Sequence, residues 1–201
     1  MKMKKLIAAV VAAVVVVVLI GAFLYNLPKE PYSGYDYSDY VKLSDYKQII
    51  ADGGEKDQER LWQEIVVQSE IVKYPRKEMK SRKEQLEDYY QDLAKSYGYK
   101  DFDKFLKKEL SYSQEEYEES IESHAEGVVG EELVVHAIAE KEKLQVSAKE
   151  YNAHLQTLMD EAGYNEEEFE EAYGCTIEEY GTNNRMRTAL LKEKVIGQIF
   201  K

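Results

Sequence analysis

Four times in the second half of this chain a helix-capping residue is followed three positions later by glutamate and then by an aromatic. The four are Ser113…Glu116-Tyr117, Ser147…Glu150-Tyr151, Asn165…Glu168-Phe169 and Thr176…Glu179-Tyr180. The cap side chain can accept from the backbone N–H of the third helical residue, while the glutamate reaches back to the cap's own N–H. Tyr112, Val146, Tyr164 and Cys175 precede the caps, each placed to pack on the aromatic five positions later as a hydrophobic staple. Gly163 and Gly174 supply stops. The pattern predicts helices over about 113–143, 147–162, 165–173 and 176–200. Proline is absent after Pro75, and neither a βαβ alternation nor a strand series occurs. The fold class is all-α.

Upstream, apolar residues also recur at helical spacing. Leu61, Ile65 and Val72, with Trp62 and Val66 beside them, predict a helix over about 56–73. Pro75 suits the first turn of the next one, whose stripe is Met79, Leu86, Tyr89/Tyr90, Leu93 and Tyr97, ending at Gly98. Phe102, Phe105, Leu106 and Leu110 mark a short helix opened by Asp101. Gly127 and Gly130 fall inside the 113–143 helix at ~1 kcal/mol each relative to Ala, which favours a bend or a close helix contact there. Residues 26–54 hold Pro28, Pro31, Gly34, Gly53, Gly54 and five tyrosines, and read as a juxtamembrane linker with a short strand within 40–50.

Residues 6–25 are apolar except for Gly21. The uncharged run Leu6–Leu24 would span ~28 Å as a helix, close to a bilayer's hydrocarbon thickness. Lys2, Lys4 and Lys5 precede it, so the positive-inside rule puts the N-terminus in the cytoplasm and the bulk of the chain outside. The run is longer than a signal peptide's apolar region and its best small-residue site lies inside it, favouring an uncleaved anchor. The expected organisation is an anchor over 1–25, the linker over 26–54 and a helical domain over 55–201.

Beyond the anchor, Ile, Leu, Val and Phe make up only 36 of 181 residues while 16 tyrosines are present, and the net charge after Tyr25 is −15. Such a charge argues against nucleic acid, whose phosphates call for excess Lys and Arg. Lone Cys175 rules out a disulfide scaffold. His124, His136 and His154 form no metal-ligand pair, and the acidic runs 115–119 and 166–171 lack the oxygen alternation and central Gly of a calcium loop. No Gly-rich phosphate loop or nucleophile elbow occurs. The expectation is a non-enzyme with no cofactor and no metal. Thin aromatic stripes flanked by charge point to an elongated frame whose tyrosines either fill a loosely packed core or, in part, line an open groove for apolar segments of other proteins. The candidate contact residues are Tyr89, Tyr90, Tyr97, Phe102, Phe105, Tyr117, Tyr151, Met159, Phe169 and Tyr173. Tyrosine suits such contacts because it offers area and hydrogen bonding at low entropy cost.

Four stretches carry a resemblance. Tyr74-Pro75-Arg76-Lys77-Glu78-Met79 is similar to an "LPE-x-LV" helix opening, and Ala94–Tyr99 stands where a turn follows that helix. The run from Val134 to Ser147 is similar to "LVLEAIAKAEGIEVS", and Arg187–Ile196 to "LREDILREKVV". In this order the stretches resemble the C-terminal chaperone domain of bacterial trigger factor, similar in fold to the helical domain of SurA-like periplasmic chaperones. The resemblance implies a helical cradle that shields unfolded chains. It does not extend to the ribosome-binding G-F-R-x-G signature. Tyr40–Lys47 is similar to the strand that opens the family's prolyl-isomerase domain, but the helical part begins too soon for that domain to fit. Neither ribosome binding nor isomerase activity is therefore expected. The implied function is a membrane-anchored, ATP-independent holder of nascent secreted polypeptides, located at the bacterial cell membrane; the alternative is a scaffold for one cell-envelope partner.

Overall fold

The structure, a computed structural model, describes Tyr32 and residues 34–54 and 57–201. The predicted anchor lies outside the described residues. Among those described, no helix is long and apolar enough to cross a membrane. Residues 34–201 form one compact unit, and residues 1–33 another of which only Tyr32 is described.

Among the described residues the unit is mostly helical, with one two-stranded sheet. A single 3-10 turn, Tyr37–Asp39, leads into β1 (Val41–Lys42), followed by α1 (Tyr46–Gly53) and α2 (Gln58–Gln68). After β2 (Glu70–Ile71) come α3 (Arg76–Ser96) and α4 (Phe102–Phe105), which runs on into a π-helical turn, Leu106–Leu110. Five more helices are α5 (Gln114–Lys141), α6 (Ala148–Ala162), α7 (Glu166–Tyr173), α8 (Ile177–Asn183) and α9 (Met186–Ile199).

All four capping boxes form as the sequence predicts, with Ser113, Ser147, Asn165 and Thr176 each reciprocally bonded to the glutamate three residues on. Gly163 and Gly174 close α6 and α7 in the left-handed region. One staple is visible as an edge-on contact of Tyr164 on Phe169, with ring centroids 6.3 Å apart.

Four expectations are corrected. Residues 34–54 are not a spacer but part of the folded unit. β1 pairs antiparallel with β2, with Val41 opposite Ile71, and Ser44 N–H donates to Ser69 Oγ. Tyr46 is buried and its hydroxyl donates to Glu142 Oε1 at 2.5 Å, fixing α1 to the end of α5. The expected strand reaches only Lys42, because Asp45 caps a helix through Gln48 N–H. The helix expected over 56–73 stops at Gln68. Ser69 is extended, turns its hydroxyl back to Ile65 O, and delivers Glu70 and Ile71 to the sheet. The last predicted helix is two, broken at Arg185, which is left-handed and buried.

The core is organised along α5. In its first half only Tyr117, Ile121 and Ala125 are buried, a stripe at spacing four. From Val129 to Ala139 nearly every position is buried, so this stretch is enclosed on all sides. Met79 of α3, Leu61, Trp62 and Ile65 of α2, and Leu191 and Val195 of α9 are buried as well. Trp62 Nε1–H and Lys192 Nζ both donate to Glu131 Oε1, at 2.6 and 2.7 Å, tying α2 and α9 to α5. A Cβ on Gly130 would meet Ile71 and Tyr74 at ordinary van der Waals distance and one on Gly127 would meet nothing, so neither glycine marks the close helix contact expected there.

Candidate functional site

Two arrangements of side chains stand apart from ordinary packing. The first is a trough between α3 and the first half of α5, which run antiparallel, with Lys83 paired to Glu122 and Tyr90 edge-on to Tyr117. One end is a cavity of about 420 Å³ lined by Tyr74, Met79 and a charged rim. The other, of about 520 Å³, is lined by Phe102, Tyr117, Ile121 and polar residues. Lys83, Glu87 and Glu122 belong to both, so the two cavities are neighbours along one face. The rim as a whole carries Arg76, Lys80 and Lys83 against Glu84, Glu87, Glu118, Glu122 and Glu126.

The arm beyond the trough has its own small core. Ala94, Phe105, Leu106, Tyr117 and Ile121 are buried together, with Leu86, Tyr90, Leu93, Tyr99, Phe102 and Leu110 packed on them. Tyr117 is 5% exposed, its ring held edge-on by Phe102 at 5.2 Å and Tyr90 at 5.7 Å. Its hydroxyl is buried and has no hydrogen-bond partner among the described residues. Burial, with Glu87 and Tyr90 nearby, pushes this phenol up to about 12, so it stays protonated.

The second arrangement is a buried polar cluster joining four parts of the chain. Arg185 lies between Glu132 of α5 (2.7 Å) and Glu78 of α3 (3.3 Å), and Arg82 reaches the other Glu132 oxygen at 2.7 Å. Tyr35 donates to Glu78, while His136 lies between Tyr37 and Thr188, each at 3.2 Å. Burial, then the Arg185 charge, lowers the His136 imidazole to about 4. Two arginines offset two glutamates and clamp the fold, and Arg82, Glu132, Arg185 and Thr188 also line a cavity of about 220 Å³.

The ten sequence candidates divide by environment. Phe105, Tyr117, Tyr151, Met159 and Phe169 are buried core residues, a correction to their reading as open contacts. Tyr89, Tyr97 and Tyr173 are 60%, 61% and 48% exposed, and Tyr90 and Phe102 are half-buried. Ring contacts gather Tyr89, Tyr90, Tyr97, Phe102, Phe105 and Tyr117 on the α3–α4–α5 arm. Phe169 and Tyr173 stack at 4.3 Å in a separate cluster with Tyr164 and Tyr180. Tyr151 packs under Arg187 at 4.0 Å. Tyr74, Ile121 and the charged rim were missed, because helical spacing says which residues share a face but not where two faces fail to close. No three His, Cys, Asp or Glu side chains converge as a metal would require among the described residues.

No curated protein and no solved structure matches the chain. Residues 58–201, covering α2 to the C-terminus, match the family described as bacterial trigger factor protein (TF) C-terminus. The helical frame that carries both the trough and the buried clamp thus belongs to the trigger factor C-terminal family.

Proposed function

We propose that this chain is an ATP-independent chaperone, anchored in the membrane by its N-terminal apolar run, that holds unfolded or nascent secreted polypeptides on the extracytoplasmic side. Family membership carries the coarser part, a chaperone-like role toward unfolded polypeptides. The observation that most favours a holding function is the trough between α3 and α5. Tyr74 and Phe102, both partly exposed, offer apolar area there within a rim of both charges. Mixed apolar and charged lining gives weak, tolerant binding rather than one tight fit. Anchoring and sidedness rest on Leu6–Leu24 and the lysines before it.

The test uses the full-length chain in liposomes and follows light scattering of an unfolded model protein. Suppression at near-stoichiometric ratio is the expected outcome. A folded chain that leaves aggregation untouched, yet captures one envelope protein tightly, would instead establish the scaffold alternative.

A further inference from the structure

We propose that the end of the folded unit where β2 leads into α3 docks on anionic lipid headgroups of the membrane that holds the chain. Arg76 and Lys77 would meet the headgroup phosphates, and Val67 and Val72 the apolar layer just beneath them. The inference rests on the anchoring proposed above and gives the anchored unit an orientation.

Three observations carry it. The first is charge. Residues 72–83 hold six lysines and arginines against one acid, Glu78, in a chain whose charge after Tyr25 is −15. Glu78 and Arg82 are taken up in the buried clamp, and Lys83 is engaged by Glu122. Lys73 lies 3.6 Å from Asp39 and Lys80 3.5 Å from Glu84. On the adjoining sheet Lys42 and Glu70 offset each other. Arg76 and Lys77 are exposed, and no ion pair reaches either among the described residues. An acidic body held beside an anionic plane is repelled by it unless its basic end faces the lipid.

The second is apolar exposure beside those charges. Val67, in the last turn of α2, is 80% exposed, and Val72, just after β2, is 47% exposed. Among the described residues they are the two exposed large aliphatics, and both fall within ten residues of Lys77. Aliphatic side chains next to unpaired cations suit the lipid interface, where apolar burial and attraction to anionic headgroups act together.

The third is the tether. Nine residues separate Leu24, the end of the uncharged run, from Gly34, a reach of at most ~36 Å. Tyr35 then donates to Glu78 in the first turn of α3, so the tether meets the unit beside Arg76 and Lys77. Tethering makes docking intramolecular, so contacts that are weak one by one suffice. α5 runs antiparallel to α3, with Gly130 beside Tyr74, which carries the acidic run 115–119 about 20 Å of helix away from the basic end.

The experiment places the full-length chain in nanodiscs of phosphatidylcholine, alone or mixed with phosphatidylglycerol. A Cys175→Ser background carries one fluorophore, on Val67→Cys at the basic end or on Lys100→Cys beyond the far end of α3. A nitroxide on the lipid headgroup is the quencher. The label at position 67 should be quenched in the phosphatidylglycerol discs and released at about 1 M salt, where the screening length is ~3 Å. The label at position 100 should stay bright in both lipids. Arg76→Gln and Lys77→Gln should each lower the docked-to-free ratio about five-fold, the worth of one cation at an anionic surface. Lys107→Gln and Lys108→Gln make the same charge change on exposed lysines of the π-helical turn and should leave the ratio unchanged. Melting temperatures should match the wild type in all four variants, which assigns the loss to docking and not to unfolding. Equal quenching of position 67 in the two lipids would overturn the proposal. So would quenching that survives both Arg76→Gln and Lys77→Gln, or stronger quenching at position 100. Retention in phosphatidylcholine discs after an alkaline wash reads the anchor separately. A retained chain with no lipid-dependent quenching keeps the anchor and strikes the docking; a chain lost from the discs strikes both.

Discussion

Arg185 Nη1 lies 2.7 Å from Glu132 Oε2, inside the fold and at the corner where α8 turns into α9. The same guanidinium contacts Glu78 on α3, and Arg185 takes a left-handed backbone conformation, φ 54°, to reach both. One side chain therefore joins the chain's last helix to two helices that begin far earlier in sequence.

Replacing Arg185 with Ala would leave Glu78 and Glu132 facing each other without their central cation. Breaking a buried pair costs about 3–5 kcal/mol, because the remaining charge stays desolvated. The exposed Lys42–Glu70 pair, 3.0 Å apart, is the contrast: Lys42→Ala should change stability by less than about 1 kcal/mol. Urea unfolding of the two variants measures the difference; similar losses would show that the clamp is not buried as described.

Stability should fall on mild acidification through His136. Its imidazole is held at about 4, by burial first and then by Arg185, below the ordinary value of 6.5. Above 6.5 both folded and unfolded states carry it neutral and it costs nothing. As pH falls from 6.5 toward 4 the unfolded chain takes up the proton first, so stability is lost across that window, on the order of 3 kcal/mol. His136→Gln should flatten the dependence between pH 7 and 4, measured by denaturant midpoints.

Two glycines on helices predict opposite outcomes for the same substitution. A Cβ on Gly181 would lie 2.5 Å from Tyr151 Oη and 2.8 Å from Leu155 Cδ2, where α8 packs against α6. Gly181→Ala should destabilise by about 1–3 kcal/mol through overpacking. A Cβ on Gly127 would meet no atom within 4 Å, so Gly127→Ala should stabilise α5 by about 1 kcal/mol. Thermal unfolding of both variants checks the signs.

Cys175, the chain's single cysteine, is partly exposed before the Thr176 cap and can report sidedness. In intact cells a membrane-impermeant maleimide should label it without permeabilisation. Labelling that requires permeabilisation would place the helical unit in the cytoplasm and overturn the extracytoplasmic assignment.

Helix starts were legible in the sequence because each is a local transaction. Ser113 with Glu116 and Thr176 with Glu179 satisfy donors three residues away, and no distant partner has a say. The corner at Arg185 was not legible. Its turn follows from Glu78, whose carbonyl it contacts 107 residues upstream, and from Glu132. The packing of residues 34–54 was hidden for the same reason, since Tyr46 finds its acceptor on Glu142, 96 residues on. Composition marked that stretch as a linker because tyrosine counts as sticky surface until a partner is known.

Pattern and capping chemistry alone determined an all-α chain, where its four capped helices begin, and the aromatic character of their stripes. Only the tertiary structure decided which aromatics are core, as Phe105 and Phe169 are, and which remain exposed, as Tyr89 and Tyr97 do. Capping depends on backbone groups within one helical turn. Burial depends on which faces meet, and that is settled by long-range contacts such as Lys83 with Glu122 and Arg185 with Glu78.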